Sequence, residues 1–330
     1  MGKFKNNINC IAIAAFTVIF AVLSLLGVVK ASTANLLEDI AIKIILAVSL
    51  SLVVGFLGEL SLGHAGFMCV GAYLGGKMSV ILVEPLGNGF LTLIVSLLVG
   101  ALCAAACGFL IGLPALRLRG DYLAITTLAF GEIVKTIFMN TSKESFGGPE
   151  GLTDTPRFDK NYFYIVCFVM VLVTLFVIQN LIRSKHGRAL KAIRDNEIAA
   201  RATGINITNY KLLGFVISAA FAGIAGVLFS FTKTNFSSQM FDYNYSIEIL
   251  VIVVLGGMGS INGSIIAAVL VTFLNRYLAN ILTGNLAVLK DLIYALVLIA
   301  IVIYNNAPAF ADFREKHNAR KLIEKVKGGS

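Results

Sequence analysis

Long apolar runs recur along the chain, each ended by a short polar or glycine-rich segment. A helix needs about 20 apolar residues to cross the hydrocarbon core of a bilayer. Ten stretches are candidates: 8–29, 40–57, 64–83, 89–113, 121–139, 161–182, 210–232, 246–258, 263–282 and 286–304. The first carries no charge over 22 positions and follows Lys3 and Lys5. It exceeds the roughly 7–15 apolar residues of a secretory signal, so it reads as an uncleaved span. The eighth is the shortest and runs into GGMGSINGS (256–264). The pattern predicts an all-α polytopic membrane protein with about ten transmembrane helices.

Composition narrows the class. Of 330 residues, 58% are apolar and 14% charged, where soluble domains carry about 25% charged residues. A soluble globule of this size could not hide so much apolar surface. A membrane β-barrel would make every second strand residue polar, which the long apolar runs exclude. Cys10, Cys69, Cys103, Cys107 and Cys167 all fall in apolar stretches, so no disulfide framework is implied.

The net charge of +9 would suggest nucleic acid in a soluble protein, but cytoplasmic loops of membrane proteins collect Lys and Arg. With the N-terminus inside and the spans alternating, 17 basic residues fall inside and 6 outside. The richest segments, 183–211 and the tail from Arg314 to Lys327, fall on the same side. Both termini are therefore expected in the cytoplasm, with membrane lipid as a partner and no nucleic acid. The expected organisation is one transmembrane domain over 1–304, with a cytoplasmic loop at 183–209, and a basic cytoplasmic tail at 305–330.

Small residues recur four apart at Gly71/Gly75, Gly108/Gly112, Ala219/Gly223 and Ala222/Gly226. They predict close helix crossings, because helices in lipid associate through backbone proximity. The segment 140–160 is rich in Gly, Ser, Thr and Pro and is expected outside. The inside segment 183–209 is strongly basic, and 187–202 predicts a short helix stopped at Gly204. That helix could rest on lipid headgroups or dock a cytoplasmic partner.

Catalytic and nucleotide-binding signatures are missing. There is no G-x-x-x-x-G-K-[ST], G-x-S-x-G or H-E-x-x-H, so no catalytic or metal residue and no bound cofactor is expected. Ser61 and His64 lie three apart in GELSLGHAG (58–66), without a separate nucleophile elbow. This segment places Glu59, Ser61, Gly63, His64 and Gly66 between two spans. It reads either as a plain turn or as a helix break on a substrate path, since broken helices in transporters offer unpaired backbone groups. Gly256, Gly257 and Gly259 carry a similar argument. Lys43, Lys77 and Arg276 lie within spans with no opposite charge evident beside them. Glu132, Lys135 and Glu248 are read as outer helix-end residues that snorkel.

Five segments taken in order resemble the permease subunits of bacterial ATP-binding-cassette importers for branched-chain amino acids. They are GELSLGHAGFMCVGAYLGG (58–76), LPALRLRGDYLAITTLAFGEI (113–133), GGPEGLT (147–153), HGRALKAIRDNEIAARATGINITNYKLLGFVISAAFAGIAGVL (186–228) and LGGMGSINGSIIAAVL (255–270). The resemblance implies a transport subunit, not an enzyme, in the inner membrane. Its implied partners are a second homologous permease, two ATPase subunits that use the ATP, and an extracytoplasmic amino-acid-binding protein. It also implies that 187–204 holds the helix that couples to the ATPases. The usual Glu-Ala-Ala-x-x-x-Gly pattern is replaced here by EIAARATG (197–204). Ile193, Ile198, Ala199 and Ala200 are then expected to face the ATPase, rimmed by Arg188, Arg194 and Glu197 and closed by Gly204. The alternatives are a urea or short-amide permease of the same kind, or an ion-coupled secondary transporter.

Overall fold

The computed structural model describes residues 31–281 apart from Asn88, Arg119, Asp154, 157–162 and Thr234, with isolated positions between 292 and 303. The expected span 8–29, nearly all of 286–304 and the tail 305–330 lie outside the described residues. Helices are α1 (Ala31–Ser51), α2 (His64–Val70), α3 (Gly76–Leu86), α4 (Phe90–Ala115), α5 (Asp121–Met139) and α6 (Lys143–Phe146). There follow α7 (Phe163–Arg183), α8 (Lys185–Asp195), α9 (Glu197–Ala202), α10 (Ile207–Thr232), α11 (Tyr243–Leu255) and α12 (Ile261–Ile281). Wider π-helical turns extend α1 through Leu52–Leu57 and join α2 to α3 through Gly71–Gly75. Among the described residues, seven helical runs are long and apolar enough to cross a membrane, and α11 is a shorter apolar helix. These eight match the second to ninth expected spans. The one β-type pairing among the described residues is the isolated bridge between Leu152 and Phe236.

The described residues up to Phe273 belong to one compact unit, organised around α10. On one side α10 runs antiparallel to α4, and the expected small-residue spacing makes the fit. A Cβ added to Gly100 would lie 2.2 Å from Val227, one on Gly108 2.7 Å from Ala219, and one on Gly112 2.8 Å from Leu212. On the other side, a Cβ on Gly71 would lie 2.2 Å from the Gly223 carbonyl oxygen, and one on Gly226 2.0 Å from that of Met68. Backbones touch where lipid offers no hydrophobic drive for association.

The helix ends sort into two sets. One set joins 139–152 to 233–242: Tyr73 stacks on Phe138 at 4.3 Å, Phe146 and Phe236 pack edge-on against this pair, and Leu152 and Phe236 exchange backbone hydrogen bonds of 3.0 and 3.3 Å. Within the segment 140–160, residues 143–152 are folded, with α6, a tight turn at Gly148–Glu150 and the Leu152 pairing. The other set joins the ends of α1, α7 and α11 to the starts of α10 and α12, and it carries the basic segment 183–211.

Candidate functional site

At the basic end three interruptions of the helical bundle meet. The first is the break after α1. Its π-helical turn ends at Gly58, whose φ of +82° suits a residue without a Cβ, and the chain then runs without helix to α2. The second is the tight turn between α11 and α12. Gly257 and Gly259 adopt φ of +88° and +84°, and a Cβ on Gly256 would lie 2.4 Å from the backbone of Gly263. The third is the connection of α7 to α10 through α8 and α9.

Local sequence dictates that connection. Ser184 caps α8 by accepting from the His186 and Gly187 amides at 3.1 and 3.4 Å. The single helix expected over 187–202 is in fact two. Asn196 is extended (φ −159°, ψ 105°), and its side chain accepts from the Ala199 amide at 3.0 Å, starting a new helix. Helix propensity favours continuity here, but an Asn whose amide oxygen can cap competes with it. Gly204, at φ +84°, ends α9 as expected.

This geometry redistributes the expected docking residues. Ile193 and Ala200 are buried, at 3% and 4% exposure, and face the chain's own helices. The expectation places them toward the ATPase; in this chain their side chains lie inside. Ile198 is 82% exposed, and Ala199 beside it is exposed too. Arg188 is exposed, with Nη1 donating to the Arg183 carbonyl at 3.4 Å.

Arg194 turns inward in part. Its Nη1 donates to the Gly55 carbonyl at 2.9 Å, while Nε and Nη2 donate to Asp195. The π-helical turn leaves that carbonyl available, and the guanidinium satisfies it. The Arg194 stem covers Gly58, where a Cβ would lie 2.6 Å from its Cγ. A Cβ on Gly55 would fall 2.3 Å from the Gly259 amide nitrogen, so the two breaks touch through glycine backbones. Lys211, one turn into α10 and 4% exposed, donates to Glu59 and at 3.4 Å to Glu197. Glu197 also pairs with Arg201 at 3.4 Å. Glu59 is thus held in an ion pair between the first break and the two-helix element.

The remaining candidates in 58–66 pack against neighbours. A Cβ on Gly63 would lie 2.6 Å from the Thr127 carbonyl oxygen, and one on Gly66 2.7 Å from the Gly131 Cα. These glycines admit the close approach of α5. Ser61 is buried, and His64 Nε2 lies 2.8 Å from Ser49 Oγ on α1, so the Ser61/His64 pairing has no geometric basis. The Leu62 amide donates to Thr127 Oγ1 at 3.0 Å, and that of Ala65 to Ser246 Oγ at 3.1 Å.

The in-span charges also have partners. Lys43 Nζ lies 2.6 Å from Glu248 Oε1, with side chains 11% and 17% exposed. This corrects the expectation that Lys43 has no opposite charge and that Glu248 snorkels. Glu132 pairs with Lys135 at 2.8 Å and accepts from the Tyr243 amide at 3.1 Å. Lys77 donates to the Glu144 carbonyl at 3.4 Å. Sequence reasoning missed Lys211, Gly55 and the Lys43–Glu248 pair as site residues. A cation one turn inside an apolar run was the signal for Lys211. No local pattern joins Lys43 to Glu248.

The family model for the branched-chain amino acid transport system / permease component matches residues 32–302. This chain belongs to that family. It is 42% identical over 260 residues to the high-affinity branched-chain amino acid transport system permease protein LivM of Salmonella typhimurium, covering 69% of this chain and 59% of that protein. Against LivM of Escherichia coli K12 it is 41% identical over 273 residues, covering 73% and 62%. It is also 30% identical over 254 residues to a probable LivM of Methanocaldococcus jannaschii, covering 66% and 73%. The matched chain therefore spans about three fifths of the length of the two enterobacterial relatives. No solved structure matches it. Family and apolar helices together make it a multi-pass inner-membrane protein. All three glycine-bearing interruptions and the α8–α9 element lie within the matched residues.

Proposed function

We propose that this chain is the permease subunit of an ATP-binding-cassette importer that passes leucine, isoleucine or valine into the cytoplasm. In this reading it is not an enzyme and binds no cofactor. Two ATPase subunits hydrolyse the ATP, a second homologous permease completes the path, and an extracytoplasmic amino-acid-binding protein delivers the cargo. The fold has about ten spans with both termini cytoplasmic, residues 1–304 forming one domain and 305–330 a basic tail. The segregation of basic helix ends from the aromatic-sealed end supports that orientation.

One observation carries the mechanism: α8–α9 is tied to the first glycine break, which in turn touches the second through Gly55 and Gly259. Arg194 holds Gly55 and covers Gly58, and Lys211 joins Glu197 to Glu59. Ile198 and Ala199 present a small exposed contact for an ATPase groove. A force applied there reaches the end of α1 and the start of α10 through charge-assisted hydrogen bonds, which fix direction better than apolar contact does. The breaks carry the backbone freedom needed for a rigid-body change to alter the path. Gly256, Gly257 and Gly259 act in this reading as the second break's hinge.

A second reading draws on the partly buried Lys43–Glu248 pair, since in-span ionisable groups mark ion pathways. Uptake into proteoliposomes holding the chain with a co-expressed second permease, ATPase subunits and binding protein separates the two. We expect labelled leucine uptake that requires ATP and the binding protein, survives a protonophore and is competed by isoleucine and valine but not urea. Uptake abolished by the protonophore and indifferent to ATP would replace the proposal with the ion-coupled reading.

A further inference from the structure

A cavity of about 350 Å³ opens at the basic end beside the two-helix element. It is walled by the end of α7, by α8 and by the start of α12. Its polar lining is Arg183, Lys191, Gln179, Ser260 and Asn262, and Phe56 forms part of its apolar wall. Two cations from different helices thus converge on one space, with Arg183 Nη2 also donating to Gln179 Oε1 at 3.4 Å, and among the described residues no carboxylate lines it. Gln179 is 8% exposed, and Lys191 Nζ sits 5.6 Å from the Phe56 ring centroid. The positive end of the long helix α12 opens onto the same space, with Ser260 Oγ accepting from the Gly263 amide at 3.2 Å.

We propose that this cavity binds a phosphate monoanion or diester, and that in the membrane its occupant is the headgroup of an anionic phospholipid. The chemistry is specific enough to argue. A phosphate offers acceptor oxygens to a guanidinium, an ammonium, a side-chain amide and a hydroxyl, and needs no donor of its own. Basic pockets between helices at the cytoplasmic side hold anionic headgroups. Arg183 closes a membrane-spanning helix, so the cavity sits where that helix leaves the hydrocarbon and headgroup phosphates lie. The apolar flank of Phe56 and Ile182 gives the glycerol and first acyl carbons a surface. An occupied cavity would brace α8 against the start of α12, linking lipid composition to the element proposed above to receive the ATPases. The placement in the inner leaflet rests on the orientation proposed above. The phosphate chemistry does not.

The test uses the full chain in lipid nanodiscs, whose two leaflets are alike, so the reading does not depend on orientation. Discs of phosphatidylcholine alone and of phosphatidylcholine with phosphatidylglycerol are compared by native mass spectrometry after detergent extraction, counting retained lipids. Wild-type chain is expected to retain phosphatidylglycerol over phosphatidylcholine. Arg183→Gln/Lys191→Gln is expected to lose about thirtyfold of that preference, each cation being worth about a factor of five. Its phosphatidylcholine retention should be unchanged. Inorganic phosphate added to phosphatidylcholine discs tests the other source. If it raises the melting temperature of wild type but not of the variant while phosphatidylglycerol does not, the site is a free-phosphate site. Equal retention of phosphatidylglycerol by both proteins, together with no phosphate effect, overturns the proposal. If the double variant does not accumulate, wild type decides: no preference for phosphatidylglycerol and no response to phosphate overturns it equally.

Discussion

Lys43 and Glu248 show what a charge inside the bundle costs and why both halves are kept. Removing either takes from the other an ion-pair partner in a place that water reaches little. Lys43→Met or Glu248→Met singly is expected to destabilise the chain by about 3 kcal/mol, whereas the double substitution should recover most of that loss. Thermal unfolding of the three variants in detergent checks this, and a double loss equal to the sum of the two single losses would mean the pair contributes nothing as a pair. The glycines divide by the same logic of what surrounds them. Gly63 meets a backbone carbonyl of α5, so Gly63→Leu should prevent accumulation of folded protein rather than block a path in an assembled one. Gly204 has open space around the site of a Cβ, so Gly204→Ala should fold at a cost of about 1 kcal/mol for its left-handed backbone. Fluorescence-detected size exclusion on membrane extracts separates the two outcomes. The need for glycine was readable at both positions. Which atoms it admits was not, because that depends on residues far along the chain.

At the scale of elements, α8 and α9 carry the account. Their division at Asn196 depends on a capping side chain that outcompetes helix continuation, a balance of about 1 kcal/mol. The division aims Ile193 and Ala200 inward while leaving Ile198 and Ala199 outward. Asn196→Ala removes the cap and favours a single helix, which would break the joint geometry of Arg194 on Gly55 and Lys211 on Glu59. We expect inserted protein that retains its melting temperature within a few degrees but loses most uptake. Undiminished uptake would show that the joint is not needed. The spans were legible because a period of apolar runs is set locally by the need to bury backbone polar groups in hydrocarbon. The small-residue crossings on α10 were legible for the same reason. The joining of Gly55 to Gly259, and of Glu59 to Lys211, was hidden because the partners stand on elements far apart in sequence and share no periodicity.

For the whole molecule, the two sets of helix ends give a direct reading of orientation. Ser145 lies exposed at the aromatic-sealed end, and Arg201 lies exposed at the basic end. In a Cys-free background, an impermeant maleimide should label Ser145→Cys in intact cells and Arg201→Cys only after the membrane is opened. The reverse pattern would invert the proposed topology. The central claim is that force from ATP hydrolysis enters through the exposed corner of α9, and it needs a variant that alters that corner alone. Ala200 is unsuitable because it is buried, so the informative substitution is Ile198→Asp/Ala199→Glu. The most direct measurement is affinity purification of this variant from cells co-expressing the ATPases, read together with leucine uptake by the same preparation. The account predicts a chain that inserts and melts like wild type, yields less than about a tenth of the ATPase, an interface loss of about 1.4 kcal/mol or more, and takes up no leucine. ATPase recovery and uptake at wild-type levels would contradict it.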